Sequence, residues 1–173
     1  AKLLADAEAT EEEKTLVRDV LAYVKTAYNY ASFAEHNSAE EIARVNTLID
    51  SIIGDYTAAP TSTGTTSGTS AVTKVTLDLD ATPTIRFYVT DTNVEFKIGN
   101  RVLETVKDID GKYVELDVYA YALAETITFG DGGSYHISDF IKGAAGTSHE
   151  ALVKAFVKYT ESAAAYRNSV INK

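Results

Sequence analysis

Tyrosines and carboxylates alternate along residues 112–122, KYVELDVYAYA, in the pattern that most suggests a binding surface. Successive side chains of a β-strand point to opposite faces, so a strand here would carry one polar, aromatic face. A second predicted strand carries Arg86 and Tyr88 by the same alternation. The candidate ligand-binding residues are therefore Tyr113, Glu115, Asp117, Tyr119, Tyr121, Arg86 and Tyr88.

Such a surface fits a carbohydrate, because tyrosine rings can stack on the C–H faces of sugars and carboxylates accept hydrogen bonds from hydroxyl groups. A structural role is the alternative: the same rings could lie beneath helices, with their phenols reaching water. The chain contains no tryptophan, the residue that most commonly stacks on sugars. We therefore favour the structural role and keep the carbohydrate site as a second hypothesis.

Two acidic motifs contain the oxygen ligands that calcium prefers. DIDG, residues 108–111, is too short for an EF-hand loop and precedes a predicted strand, so we interpret it as a hairpin turn. Asp78 and Asp80 share one face of a strand, which the solvent-exposed face of an edge strand explains better than a metal site does. We predict neither a metal site nor a bound cofactor.

The residues typical of catalytic sites do not form a recognisable set. His36, His136 and His149 lack the partner spacing of metal ligands on a helix. No Gly-x-Ser-x-Gly nucleophile motif and no phosphate-binding loop occurs. The absence of cysteine excludes a thiol nucleophile and disulfide bonds. We predict that the chain is not an enzyme.

The elements that must position these residues begin with helices. Apolar periodicity and helix-start signals predict helices at residues 10–35, 39–53, 139–143 and 148–169. In a capping box, a hydroxyl and a glutamate satisfy backbone N–H groups reciprocally at a helix start. The predicted boxes are Thr10 with Glu13, Ser38 with Glu41, and Thr147 with Glu150.

From residue 72 the period of the apolar residues falls to two, which is typical of strands. Short strands separated by Gly, Asn and Asp turn signals favour an antiparallel β-sandwich of about seven strands. The strands are predicted at residues 74–80, 84–90, 94–99, 101–106, 112–121, 125–129 and 134–137.

One helical phrase occurs near both ends of the chain. Its apolar stripe reads Leu16, Val20, Tyr23, Ala27 and Tyr30, and then Leu152, Phe156, Tyr159, Ala163 and Tyr166. Two matched stripes are most simply explained by mutual packing. We predict an α+β protein in which the N- and C-terminal helices form a small bundle, with an antiparallel β-sandwich packed beside it.

The expected divisions follow from these elements. They are an N-terminal helical hairpin (1–56), a flexible Thr/Ser/Gly linker (57–71), the β-sandwich (72–138) and a C-terminal helical segment (139–173). The net charge of −9 would repel a nucleic-acid backbone, and no apolar run approaches the roughly 20 residues of a membrane span. We expect neither nucleic acid nor membrane insertion.

Several stretches resemble a module of large secreted or cell-surface proteins of gut Clostridia, such as Ruminococcus-like bacteria. They are EATEEEKTLVRDVLAYVKTAYNY, ATPTIRFYV, DGKYVELDVYAYALAETITF, GSYHISDFI and LVKAFVKYTESAAAYRNSV. Those proteins join such modules to leucine-rich repeats, immunoglobulin-like domains, dockerins or carbohydrate-active domains. The resemblance implies a secreted or cell-surface location in a Gram-positive bacterium and an accessory role, but no particular ligand.

Two functions are therefore expected. The first is a non-catalytic accessory or interaction module of an extracellular multidomain protein, monomeric within a larger chain, with a polysaccharide or another surface protein as partner. The alternative is a carbohydrate-binding module that uses the tyrosine-rich sheet face. A Lys–Asn or Lys–Asp isopeptide bond in the sandwich is a further option, and it would require an adjacent buried acid.

Overall fold

A computed structural model describes residues 1–30, 35–57, 59–61, 71–79, 83–116, 119–130 and 132–171. It confirms an α+β protein that combines two four-stranded antiparallel sheets with helices. The helices of this described part are α1 (Lys2–Ala5), α2 (Glu11–Tyr28), α3 (Ala39–Ile53), α4 (Ala120–Leu123), α5 (Asp139–Ala144) and α6 (Glu150–Ile171). None of them combines the length and apolar character that a membrane crossing requires.

The strands of the described residues differ in number and bounds from the prediction. They are β1 (Val72–Asp78), β2 (Thr84–Val89), β3 (Phe96–Ile98), β4 (Arg101–Val102), β5 (Thr105–Lys107), β6 (Tyr113–Leu116), β7 (Ile127–Phe129) and β8 (Gly133–Tyr135). The chain divides into two compact units. We call Ala1–Ser62 with Ile141–Lys173 the helical unit, and Thr63–Phe140 the sheet unit.

The start of α2 confirms the first predicted capping box. The Thr10 hydroxyl accepts a hydrogen bond from the Glu13 backbone N–H (3.2 Å), and the Glu13 carboxylate accepts one from the Thr10 N–H (2.8 Å). At the start of α3, Ser38 likewise accepts from the Glu41 N–H (3.1 Å). Local side-chain hydrogen bonds therefore determine where both helices begin.

The other end of α2 lies earlier than the predicted residue 35. The Lys25 carbonyl accepts hydrogen bonds from both the backbone N–H (3.2 Å) and the side-chain amide (2.6 Å) of Asn29. The same amide donates to Asn46 of α3 (2.8 Å), and Asn46 donates back to Asn29 (2.9 Å). Asn29 thus ends α2 and ties it to α3; residues 31–34 lie outside the described residues.

The third predicted capping box is wrong in its pairing. The Thr147 hydroxyl accepts from the His149 backbone N–H (3.2 Å) rather than from Glu150. The Glu150 carboxylate accepts from the Gly146 N–H (2.7 Å). The turn at Gly146, where φ is +74°, brings that N–H back toward the helix start, so α6 begins at Glu150.

The repeated helical phrase does pack against itself. Tyr23 of α2 stacks on Tyr159 of α6, with ring centroids 6.0 Å apart and an interplanar angle of 10°. Tyr23 also contacts Phe156 (5.4 Å between centroids), which is fully buried. The predicted bundle of N- and C-terminal helices is therefore confirmed, and this contact joins the two ends of the chain.

The two copies of the phrase run antiparallel. Tyr30, two residues after α2, contacts His149, which immediately precedes α6 (5.2 Å between ring centroids). Tyr23 and Tyr159 stand at the middle of their respective phrases. An antiparallel pair of similar helices has a pseudo-twofold axis at its centre, so these two equivalent tyrosines meet while the other equivalent residues lie apart.

The sheet unit contains two sheets whose inner faces meet. Their strand orders are β1–β2–β6–β5 and β4–β3–β7–β8. The predicted strand 101–106 is divided between them: β4 belongs to one sheet and β5 to the other, with buried Leu103 at the crossing. The Leu103 N–H still bonds to the Phe96 carbonyl of β3 (2.9 Å), and the chain reaches the other sheet at Thr105.

Aromatic side chains fill the space between the sheets. Phe87 of β2 contacts Phe96, Phe129 and Tyr135 of the opposite sheet, with centroid separations of 4.7, 5.7 and 5.9 Å. Both Phe87 and Phe96 are fully buried. The alternation predicted for β2 and β6 is present, since buried and half-exposed residues alternate in each.

The segment after α3 is held against α2 and α6 of the same unit. Tyr56 donates a hydrogen bond to Asp19 of α2 (2.6 Å), and the Thr61 N–H donates to the Glu161 carboxylate of α6 (3.0 Å). Thr61 belongs to the predicted linker, of which residues 58 and 62–70 lie outside the described residues.

Truncating Phe156 tests the contact between the terminal helices. We expect Phe156→Ala to lower the free energy of unfolding by about 3–5 kcal/mol, because it removes a fully buried ring and leaves a cavity. Val170→Ala on the same helix, at a half-exposed position, should change it by less than about 0.5 kcal/mol. Urea denaturation followed by far-UV circular dichroism measures both, and equal effects would contradict the assignment.

Candidate functional site

The outward face of the sheet β1–β2–β6–β5 holds four of the seven predicted ligand residues. Cross-strand pairing places Arg86 opposite Glu115 and Tyr88 opposite Tyr113. On the other side of β2, Thr76 and Lys74 of β1 lie opposite Arg86 and Tyr88. All four predicted residues are half-exposed, so this face is accessible in part.

Arg86 stands at the centre of the charges on this face. Its Nε donates to Glu115 (2.6 Å) and its Nη1 donates to Asp78 (3.2 Å). The hydrogen bond to Glu115, with the charges of Glu115 and Asp78, raises the pKa of Arg86. The guanidinium therefore carries its charge between two carboxylates, and a ligand would have to compete with existing partners.

The tyrosine rings of this face do not form a flat platform. Tyr88 and Tyr113 are 5.5 Å apart between centroids and inclined by 55°. The Lys74 ammonium lies over the Tyr88 ring (5.3 Å) and the Arg86 guanidinium over the Tyr113 ring (5.4 Å). Since cations occupy a face of each ring, stacking of a sugar on that same face would require their displacement.

The prediction of a strand through residue 121 is wrong. β6 ends at Leu116, and Tyr119 and Tyr121 lie at the start of the short helix α4. The Ala122 N–H donates to the Tyr119 carbonyl (2.9 Å) and the Glu125 N–H to the Ala122 carbonyl (3.2 Å), which are hydrogen bonds of a helical turn and not of a sheet. Asp117 lies outside the described residues.

Tyr119 and Tyr121 nevertheless form an aromatic pair of their own. Their rings stack with centroids 5.7 Å apart and an interplanar angle of 17°. Tyr119 is 74% exposed, more than any other large aromatic side chain of the described residues. The Tyr119 ring thus contacts Tyr121 and still presents an accessible aromatic surface.

His136 is buried and has structural partners on both ring nitrogens. Nε2 donates to the Ala124 carbonyl (2.9 Å), while Nδ1 accepts from the Ser138 backbone N–H (3.2 Å) and lies 2.9 Å from the Ser138 hydroxyl. The fixed donor and acceptor assign the proton to Nε2. In this arrangement the histidine joins two backbone segments.

The acidic DIDG motif forms the predicted hairpin turn between β5 and β6. The Asp108 N–H donates to the Tyr113 carbonyl and the Gly111 N–H to the Asp108 carbonyl, both at 3.0 Å. Ile109, at the tip, is 99% exposed. Within the described residues, no three His, Asp or Glu side chains come together as metal ligands would.

A cleft in the helical unit was not foreseen from the sequence. It encloses about 570 Å³ between α2, α6 and the segment that follows α3. Lys25 and Lys154 line it, and each is paired with a carboxylate at 2.5 Å: Lys25 with Asp50 and Lys154 with Glu150. The charges of these two lysines are thus locally compensated, and alanines of both helices also line the cleft.

Asp19, beside this cleft, is fully buried although it is a carboxylate. Tyr56 donates to its Oδ1 (2.6 Å), but Oδ2 has no hydrogen-bond partner among the described residues. Ser162 lies nearby, yet its single hydroxyl hydrogen is shared between the Lys158 and Tyr159 carbonyls (both 3.1 Å). The sequence contained a signal of this burial: Asp19 lies three residues after Leu16, on the helix face that carries the apolar stripe.

Burial of Asp19 raises the pKa of its carboxyl group. The hydrogen bond from Tyr56, the neighbouring Ser162 and the charge of Lys158 act in the opposite direction, but burial outweighs them. Burial and the same hydrogen bond raise the pKa of Tyr56, so its phenol keeps the proton that it donates.

Comparisons of the chain with protein-family models, with curated proteins and with solved structures found no match.

Replacing Asp19 by asparagine tests the cost of the buried carboxylate. Because the folded-state pKa exceeds the ordinary carboxyl value of 3.8, the wild type should lose stability as the pH rises from there through that higher value. The side chain at position 19 of this variant cannot ionise. The free energy of unfolding of Asp19→Asn minus that of the wild type should therefore increase as the pH rises over this interval. Urea denaturation between about pH 3.5 and 7.5 measures the difference.

Asp55→Asn is the matched control, because Asp55 is exposed. Its curve should follow that of the wild type at every pH. If the Asp19→Asn curve also ran parallel to the wild type, the buried carboxylate would not be destabilising.

Proposed function

We propose that the protein is a non-catalytic accessory module that mediates interactions of an extracellular, cell-surface bacterial protein. The observation that carries this proposal is the stacked pair Tyr119 and Tyr121, because tyrosine is enriched at binding surfaces and the Tyr119 side chain is 74% exposed. Ile109, almost fully exposed at a hairpin tip, adds a second apolar group in the same unit. His136, the buried imidazole, is occupied by structural hydrogen bonds.

Carbohydrate binding is the second candidate, and one observation favours it. The Tyr119 ring offers an open face for a sugar, whereas Lys74 and Arg86 lie over Tyr88 and Tyr113. The carbohydrate hypothesis therefore depends more on the Tyr119 pair than on the sheet face. Carboxylates for the sugar hydroxyls would come from outside this pair.

Surface location is tested by brief protease treatment of intact cells that produce the protein. Peptides of exposed segments, such as the hairpin with Ile109, should be released before lysis. A cytoplasmic protein of the same cells serves as the control and should yield peptides only after lysis. Release of this chain only after lysis would overturn the extracellular proposal, whatever the chain binds.

Carbohydrate binding is tested by affinity electrophoresis in gels that contain soluble plant polysaccharides or mucin. Retardation of the wild type that is lost in Tyr119→Ala, but kept in Tyr88→Ala, would support a site at the exposed ring. Loss in Tyr88→Ala alone would place the site on the sheet face. Absence of retardation in every gel would end the carbohydrate hypothesis and leave a protein as the partner of the accessory module.

A further inference from the structure

The apolar inward-facing residues of the edge strand β1 are half-exposed, whereas those of its neighbour β2 are buried. Among the strands of the described residues, β1 pairs with β2 alone. On its inward face Val75 and Leu77 remain half-exposed, whereas their partners Phe87 and Ile85 in β2 are 0% and 1% exposed. One more strand beside β1 would cover this apolar edge and pair its outward backbone groups.

The side chains of β1 are self-complementary. The regular part of the strand, after the irregularity between Val72 and Lys74, reads Lys-Val-Thr-Leu-Asp, residues 74–78. In an antiparallel pair centred on Thr76, Lys74 of one copy lies opposite Asp78 of the other, and Val75 lies opposite Leu77. Directly opposed side chains are about 4.5–5.5 Å apart, which is close enough for an ion pair.

We propose that β1 pairs with β1 of a second copy of this chain, about a twofold axis at Thr76, to form a continuous eight-stranded sheet. Two Lys74–Asp78 pairs flank the axis on the outward face, and Val75 and Leu77 of each copy cover one another on the inward face. Within the bounds of β1, Val72–Asp78, the registers centred on Val75 or Leu77 bring no lysine opposite an aspartate, so the charges of this strand favour the Thr76 register.

This inference is independent of the proposed function, and it replaces the monomer expected from the sequence. At seven residues, β1 is the longest edge strand of the described residues, since β4, β5 and β8 have two or three. Lysine on an edge strand commonly prevents pairing. Here the aspartate of the second copy would neutralise it, so the edge excludes other strands while accepting its own copy.

Charge reversal tests the pairing. An interface of this limited size implies a weak dimer. Analytical ultracentrifugation should therefore cover protein concentrations up to about 1 mM, and the wild type should dimerise within that range. Lys74→Glu and Asp78→Lys should each weaken the dimer about tenfold or more, because each places like charges opposite one another. An equimolar mixture of the two variants should dimerise as the wild type does, since both pairs become attractive again.

Cross-linking tests the register without altering a charge. The chain has no cysteine, so Thr76→Cys introduces a single thiol, which should be joined to its own copy by a short bis-maleimide. Lys107→Cys, on the edge strand β5 of the same sheet, is the matched control and should not cross-link. This pair of variants also decides the question if Asp78→Lys fails to fold, since Asp78 bonds to Arg86.

A wild type that remains monomeric at all concentrations would overturn the proposal and leave the edge to a strand of another protein. A dimer that both single variants form unchanged, with no cross-link through Thr76→Cys, would overturn it by placing the contact elsewhere.

Discussion

The contact between α2 and α6 is the interaction on which the arrangement of the chain depends. Tyr23, Phe156 and Tyr159 bring together helices that lie near opposite ends of the sequence. The sheet unit is inserted between them, so this contact closes the longest loop of the protein. Closing a long loop costs conformational entropy, and the burial of Phe156 and of the neighbouring apolar residues of α6 offsets it.

The same helix pair also anchors the chain where it leaves the bundle. Asp19 accepts a hydrogen bond from Tyr56, and Glu161 accepts one from the Thr61 backbone. Burying Asp19 is unfavourable by itself, because a carboxylate loses its hydration. The Tyr56 phenol offsets part of this cost, because it donates a hydrogen bond to one carboxylate oxygen. The same hydrogen bond attaches the segment after α3 to α2.

In the sheet unit, the centre of the outward face is electrostatically compensated. Arg86 joins Asp78 and Glu115, and cations cover the rings of Tyr88 and Tyr113. The accessible apolar groups lie at the periphery: Tyr119, Ile109 at the hairpin tip, and the half-exposed Val75 and Leu77 of β1. The proposed contact surface at Tyr119 and the proposed pairing of β1 therefore both use the periphery of this unit, where aromatic and backbone groups are accessible to a partner.

The sequence by itself determined the features that depend on local chemistry. The capping residues Thr10 and Ser38 marked the helix starts, because a hydroxyl near its own backbone acts without tertiary contacts. Alternation identified β2 and β6 and placed Arg86, Tyr88, Tyr113 and Glu115 on one face, since that periodicity is a property of the strand itself. The matched stripes also indicated that the terminal helices pack together.

Only the tertiary structure decided the rest. Alternation near residue 120 predicted a strand, whereas the hydrogen bond from the Ala122 N–H to the Tyr119 carbonyl identifies a helical turn. The stretch 101–106 had one continuous pattern, yet the crossing at Leu103 divided it between two sheets. Asp19 and the cleft depend on side chains distant in sequence. Their surroundings arise from long-range packing, which no local pattern of residues contains.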